Sequence, residues 1–289
     1  MRASTFIALS SAIALLVACG GSDDSTGAQG STPGTGGNNG STGSPSTSGS
    51  SGGGTSSDGG TNPLPRSPSA PGWLYAFSKG GVGVNCNYTE AQYKSANAPS
   101  VTFGGTTIYI GFEQIGQNQD PVFARFDNGQ KKYCEHHERE PPDGRAVGLA
   151  WDGGPKAYVV YSIVGGGSAF DAKGKGQWLD RYGDGGASSK VSFLGEVETA
   201  FGTLTKGTFI IAKKKDGKTN THNAADAPVV RADGRIEFFG DSAFQAMNPD
   251  KSIMECTGYP FSTKYVFSPD LKTLECSTST NCTSKVPCP

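Results

Sequence analysis

The sequence predicts an all-β fold, and three observations carry that prediction. From about Gly72 onward, short apolar and aromatic clusters recur, each closed by Gly, Asn-Gly or Asp-Gly. No window long enough for an ordinary helix keeps apolar residues at spacings of three and four. Six cysteines share the same region, the even number expected of a disulfide-bonded domain in an oxidising compartment.

The N-terminus reads as an export signal over residues 1–18. It carries one basic residue, Arg2, and an apolar stretch from Phe6 to Val17 broken by Ser10 and Ser11, too short to span a bilayer comfortably. The stretch closes on Leu16-Val17-Ala18-Cys19, which resembles the lipobox of bacterial lipoproteins. That resemblance implies cleavage before Cys19, a diacylated thiol and an acylated amino group. Several acyl chains, at roughly 0.8 kcal/mol per buried methylene, hold a protein to a bilayer where one chain alone is marginal. In the resembling class, Gly20 in place of Asp favours the outer membrane.

Residues 19–71 are almost entirely Gly, Ser, Thr, Asn and Pro, with Leu64 the only large aliphatic side chain. Such a segment buries too little apolar surface to offset chain entropy, so a disordered tether is expected, with an r.m.s. reach of about 40 Å. Residues 72–289 form the expected folded domain. Its charge is balanced, 23 basic against 23 acidic residues once Arg2, Arg66, Asp23, Asp24 and Asp58 are set aside. With no basic excess to neutralise phosphates, nucleic acid is not an expected partner.

Within this domain, the strand clusters include Trp73 to Phe77 before Lys79-Gly80-Gly81, and Val122 to Phe126 before Asp127-Asn128-Gly129. Val147 to Trp151 precedes Asp152-Gly153-Gly154, Thr208 to Ala212 precedes Asp216-Gly217, and Pro228 to Ala232 precedes Asp233-Gly234. Asn-Gly and Asp-Gly favour the positive backbone angles of tight hairpin turns, so each cluster reads as one hairpin. Blades of about forty residues suggest a small five-bladed β-propeller. The turn glycines are unevenly spaced, 24 residues from Gly129 to Gly153 and 64 from Gly153 to Gly217, which keeps a β-sandwich as the alternative. The runs Ala124 to Gly129, Gly148 to Gly154 and Gly217 to Thr221 resemble segments of uncharacterised secreted all-β bacterial proteins. The resemblance implies a fold and no activity.

Lipid on Cys19 accounts for the odd cysteine of seven. The other six allow fifteen pairings. The expectation is Cys86 with Cys134, and Cys256, Cys276, Cys282 and Cys288 paired among themselves. No C-x2-C pair exists to hold structural zinc, and no cofactor is expected.

Four constellations offer chemistry. In Cys134-Glu135-His136-His137-Glu138, strand alternation gives each face one imidazole and one carboxylate, half of a metal site that His222 would help complete. Glu196 and Glu198, two residues apart, share a strand face with backbones about 6.5 to 7 Å apart, within the range of paired glycosidase carboxylates. Trp178, on a loop rich in Gly and charge, either stacks on a sugar ring with Asp180, Arg181 and Asp184 binding hydroxyls, or plugs the loop into the core. Gly240-Asp241-Ser242 is similar to the serine motif of GDS-type esterases, but no histidine follows His222 to act as its base. The expected function is therefore binding or surface interaction by a membrane-anchored envelope lipoprotein, with an extracellular polysaccharide or an envelope protein as partner. A polysaccharide hydrolase using Glu196 and Glu198, or a purely structural envelope protein, are the alternatives.

Overall fold

The computed structural model describes residues 64–139, 141, 143–165, 168–183, 189–259 and 261–289. Cys19, the signal segment and Asp184 lie outside the described residues. Apart from two short helices, α1 (Glu90–Ser95) and α2 (Ser168–Gly174), the ordered elements are strands, and the sheets they form are antiparallel.

Three sheets organise the domain. The first is the meander β2 (Ser100–Phe103), β3 (Thr106–Ile115), β4 (Asn118–Asp127) and β5 (Gln130–His136). Its turns follow their sequences. Asn128 (φ 49°) and Gly129 (φ 83°) both take positive φ between Asp127 and Gln130, the geometry Asn-Gly permits at least cost. The second sheet runs in the order β1 (Leu74–Phe77), β6 (Gly144–Trp151), β7 (Lys156–Val164), β8 (Lys190–Glu198) and β9 (Thr203–Ile210). After the two-residue β10 (Ala212–Lys213) and β11 (Thr219–Asn220), the third sheet gathers β12 (His222–Ala224), β13 (Val229–Val230), β14 (Ile236–Ser242), β16 (Phe261–Phe267) and β17 (Leu274–Ser279). A further pair, β15 (Glu255–Cys256) and β18 (Cys282–Thr283), sits beside it in sequence.

Two expectations are corrected here. Among the described residues, three sheets of four or five strands stand where five blades were expected, fewer than the four blades of the smallest usual propellers. The Trp73 cluster is not half of a local hairpin either. Leu74–Phe77 pairs with Gly148–Trp151 across some seventy residues, while Gly80 and Gly81, both at positive φ, turn the chain away.

Strand alternation places the cores. On β3 and β4, Ile108, Ile110 and Phe123 enter the main core, and Tyr109, Val122, Ala124 and Phe126 enter a smaller one on the opposite face. Helix α1 covers that second face. Thr89 and Gln92 cap it reciprocally, and its buried Tyr93 packs against Tyr109 and Phe126. The disulfide Cys86–Cys134 joins the covering segment to β5, as expected. The last four cysteines pair among themselves as Cys256–Cys282 and Cys276–Cys288.

The segment from Leu64 to Pro71, assigned to the tether by composition, is tied to the third sheet. Ala70 N–H donates to Val230 O at 2.7 Å, and Ser67 donates from its backbone (3.1 Å) and its hydroxyl to the Glu237 carboxylate. Glu237 is fully buried on β14 and meets Lys264 Nζ at 3.3 Å and Arg231 Nη1 at 3.5 Å. Lys264, itself buried, donates to Pro65 O at 3.2 Å, and Arg66 pairs with Asp226. Two buried opposite charges are tolerated because each has several partners.

Candidate functional site

The predicted site residues occupy separate places. Tyr133, Glu135 and His137 share one face of the β5 strand and its extension, Cys134 and His136 the other. His137 donates from Nε2 to Gly202 O (2.7 Å), which leaves Nδ1 to accept from Tyr161 Oη (2.5 Å). That ring is a neutral structural strut, and desolvation lowers its pKa to about 4. His222 is fully buried against Phe238 and Tyr265, with no hydrogen-bond partner on either ring nitrogen among the described residues, and desolvation lowers it to about 3. His136 alone of the three lies among other ligand-type groups, beside Glu113 and Cys86. The expected grouping of His136, His137 and His222 as metal ligands is thus not formed, because alternation along β5 sends the first two to opposite faces and β12 belongs to another sheet.

Trp178 takes the plugging role. It is 4% exposed, donates from Nε1 to Pro249 O at 3.0 Å, and packs on Tyr265 and Phe267, so its face is not offered to a sugar. Asp180 and Arg181 beside it are exposed. Glu196 is buried within β8, held by Lys156 Nζ at 3.2 Å and Lys206 Nζ at 3.1 Å, while Glu198 lies partly exposed at the strand end opposite Thr203. Neither carboxylate lines either of the two hollows below.

Two hollows stand out among the described residues. The wider, about 550 Å³, is a shallow depression beside the β8–β9 turn, lined by Arg125, Asp127, Lys132, Tyr133, Glu135 and Phe201. Its charges are largely matched internally: Arg125 Nε donates to Asp127 Oδ1 at 2.8 Å and draws that carboxyl below its usual range. Tyr133 Oη donates to Thr199 O. What it offers outward is chiefly Phe201, 70% exposed.

The narrower cleft, about 270 Å³, differs in kind. It lies where the three sheets meet: Gln119 comes from β4, Arg145, Ser162 and Lys190 from β6, β7 and β8, Asn223 from β12, and Lys79 from the turn after β1. Arg145 and Gln119, both half-buried, belong to its lining. Arg145 Nε donates to Gln119 Oε1 (2.6 Å), its Nη1 to Gly80 O (2.7 Å), and its guanidinium lies 4.6 Å from the Phe112 ring centroid. Gln119 N–H donates to Asp143 Oδ1 at 2.9 Å, so the one acid of the cleft is oriented by backbone. Three cations therefore face one carboxylate. Among the described residues none of Lys79, Arg145 and Lys190 has an acidic partner within 4.0 Å. No local sequence signal marks these residues, which are scattered from Lys79 to Asn223 and assembled by pairing between distant strands.

The chain was also compared with protein-family models, curated proteins and solved structures, and none of them matches it.

Proposed function

We propose that this protein is a lipid-anchored envelope protein whose β domain binds an acidic, polyhydroxylated ligand, a uronate-type glycan unit, in the cleft of Lys79, Arg145 and Lys190. The observation that carries the reading is the uncompensated positive charge of that cleft beside hydroxyl-binding groups. Lys79 and Lys190, exposed at the rim, meet a carboxylate; Ser162, Asn223 and Asp143 bond sugar hydroxyls. A volume of about 270 Å³ suits roughly one sugar unit, with the remaining polymer lying across the open surface. The anchor belongs to the same proposal: Cys19 carries the lipid, Gly20 directs the protein to the outer membrane, and residues between Cys19 and Leu64 give reach towards envelope polymers.

The hydrolase alternative gains no supporting observation, since a carboxylate clasped by two lysines is poorly placed to exchange protons with a substrate. Calorimetric titration with matched oligosaccharides, one uronate-containing and one neutral, tests the binding proposal. The acidic sugar is expected to bind at least tenfold tighter, and Lys79→Ala with Lys190→Ala to abolish the preference. Equal binding of both sugars, or an unchanged preference in the double variant, overturns it.

A further inference from the structure

We infer that Cys86, Cys134, His136 and Glu113 form a latent zinc site, shut while the two cysteines are joined and available once they are reduced. Three stretches distant in sequence bring these groups together. Glu113 lies on β3, Cys134 and His136 on one face of β5, and Cys86 in the segment that covers the smaller core. The ligand atoms of Cys86, Glu113 and His136 all lie within 4.8 Å of one another. His136 Nε2 is 2.8 Å from Glu113 Oε2 and 3.7 Å from Cys86 Sγ. Cys134 Sγ, one S–S bond from Cys86 Sγ, stands at the edge of this group rather than within it.

Those spacings suit a tetrahedral ion. Zinc bonds of about 2.0 to 2.3 Å set neighbouring donors roughly 3.3 to 3.8 Å apart, so Cys86, Glu113 and His136 need only small shifts, while the Cys134 side chain turns its freed sulfur towards them once the S–S bond is broken. Two thiolates, an imidazole and a carboxylate are a donor set zinc accepts readily. Supporting groups are also present. Cys86 N–H donates to Glu113 Oε2 at 3.2 Å and orients the carboxylate, and Tyr93 Oη lies 3.4 Å from Cys134 Sγ, placed to donate to a thiolate there. In the disulfide form the sulfurs carry no thiolate charge, and His136 with Glu113 is only half a ligand set. Among the described residues, neither of the other two disulfides has such a group around it.

Opening the site requires a dithiol or an equivalent two-electron reductant. One reductant thiolate attacks a sulfur of Cys86–Cys134, the S–S bond breaks, and a mixed disulfide forms. The second reductant thiol then attacks its own partner sulfur, so both cysteines leave as thiols and the reductant leaves as a disulfide. Zinc displaces the two thiol protons to solvent.

The test uses the full-length chain carrying Cys19→Ser, so that the six pairing cysteines are the only thiol source. It is titrated with zinc before and after reduction by a phosphine, which leaves as its oxide. The reduced chain is expected to take up one more zinc than the oxidised chain, and one more than reduced Cys86→Ser/Cys134→Ser, which keeps the other four cysteines. His136→Gln and Glu113→Gln are each expected to weaken that ion at least tenfold. Cobalt in place of zinc should show a thiolate charge-transfer band that the double-serine variant lacks. Equal uptake by oxidised and reduced chains, no excess over the double-serine variant, or unchanged affinity in His136→Gln overturns the inference.

Discussion

Charge is handled in opposite ways at the Glu237 cluster and at the cleft of Lys79, Arg145 and Lys190. At the first, a fully buried carboxylate is met by Lys264, Arg231 and the Ser67 donors, and Arg231 is shared with Asp233 at 3.7 Å, so almost nothing is left over. At the second, three cations share one acid and the two lysines face water. Burial makes an unmatched charge prohibitively costly, whereas hydration lets one persist. Unmatched charge therefore survives only where something from solution can reach it, which is why the cleft and not the cluster reads as a binding place.

The contrast can be broken from either side. Glu237→Gln leaves Lys264 buried without a counter-charge, while Arg231 keeps Asp233, and is expected to cost about 3–5 kcal/mol in urea denaturation; a cost below about 1 kcal/mol would remove the distinction. Acid probes burial next. His222 and His137 are held neutral in the fold, at about 3 and about 4, against about 6.5 when unfolded. Their contribution to stability is thus complete above pH 6.5 and drains away as pH falls towards 3, on the order of a few kcal/mol in all. His222→Leu should flatten most of that decline, and a denaturation midpoint still falling equally steeply in the variant would exclude His222 as its source. Glu196→Gln lies between the extremes. Lys156, 58% exposed, can turn to water when its partner is lost, so a cost of about 1 kcal/mol is expected by the same assay. Smallest of all, Lys79→Ala with Lys190→Ala should alter stability by no more than about 0.5 kcal/mol while removing the acidic-sugar preference; a large destabilisation would make these lysines structural.

Local features were legible in the sequence, and distant ones were not. Asn128-Gly129 announces its turn because the backbone angles it needs belong to those two residues alone. The six-cysteine count and the pairing of Cys86 with Cys134 could be anticipated from parity and position. Trp178 could not be placed, since whether a loop tryptophan faces water depends on Pro249, Tyr265 and Phe267, seventy or more residues away. His136 was grouped with His137 and His222, whereas the ligand-type groups beside it are Glu113 and Cys86, supplied by β3 and by a loop crossing beside it. Composition also misread residues 64–71. Ser67 and Ala70 look like linker, and it is Glu237 and Val230, some 160 residues later, that bind them.

That last attachment decides how the domain would carry a mechanical load. A pull on the chain ahead of Leu64 does not reach β1 first. It is taken up by the contacts of residues 64–71 with β13, β14 and β16, and centrally by the salt-linked carboxylate of Glu237. The segment acts as a strain relief, like the clamp on a cable: a load arriving from the N-terminal side meets this seam before it reaches the second sheet.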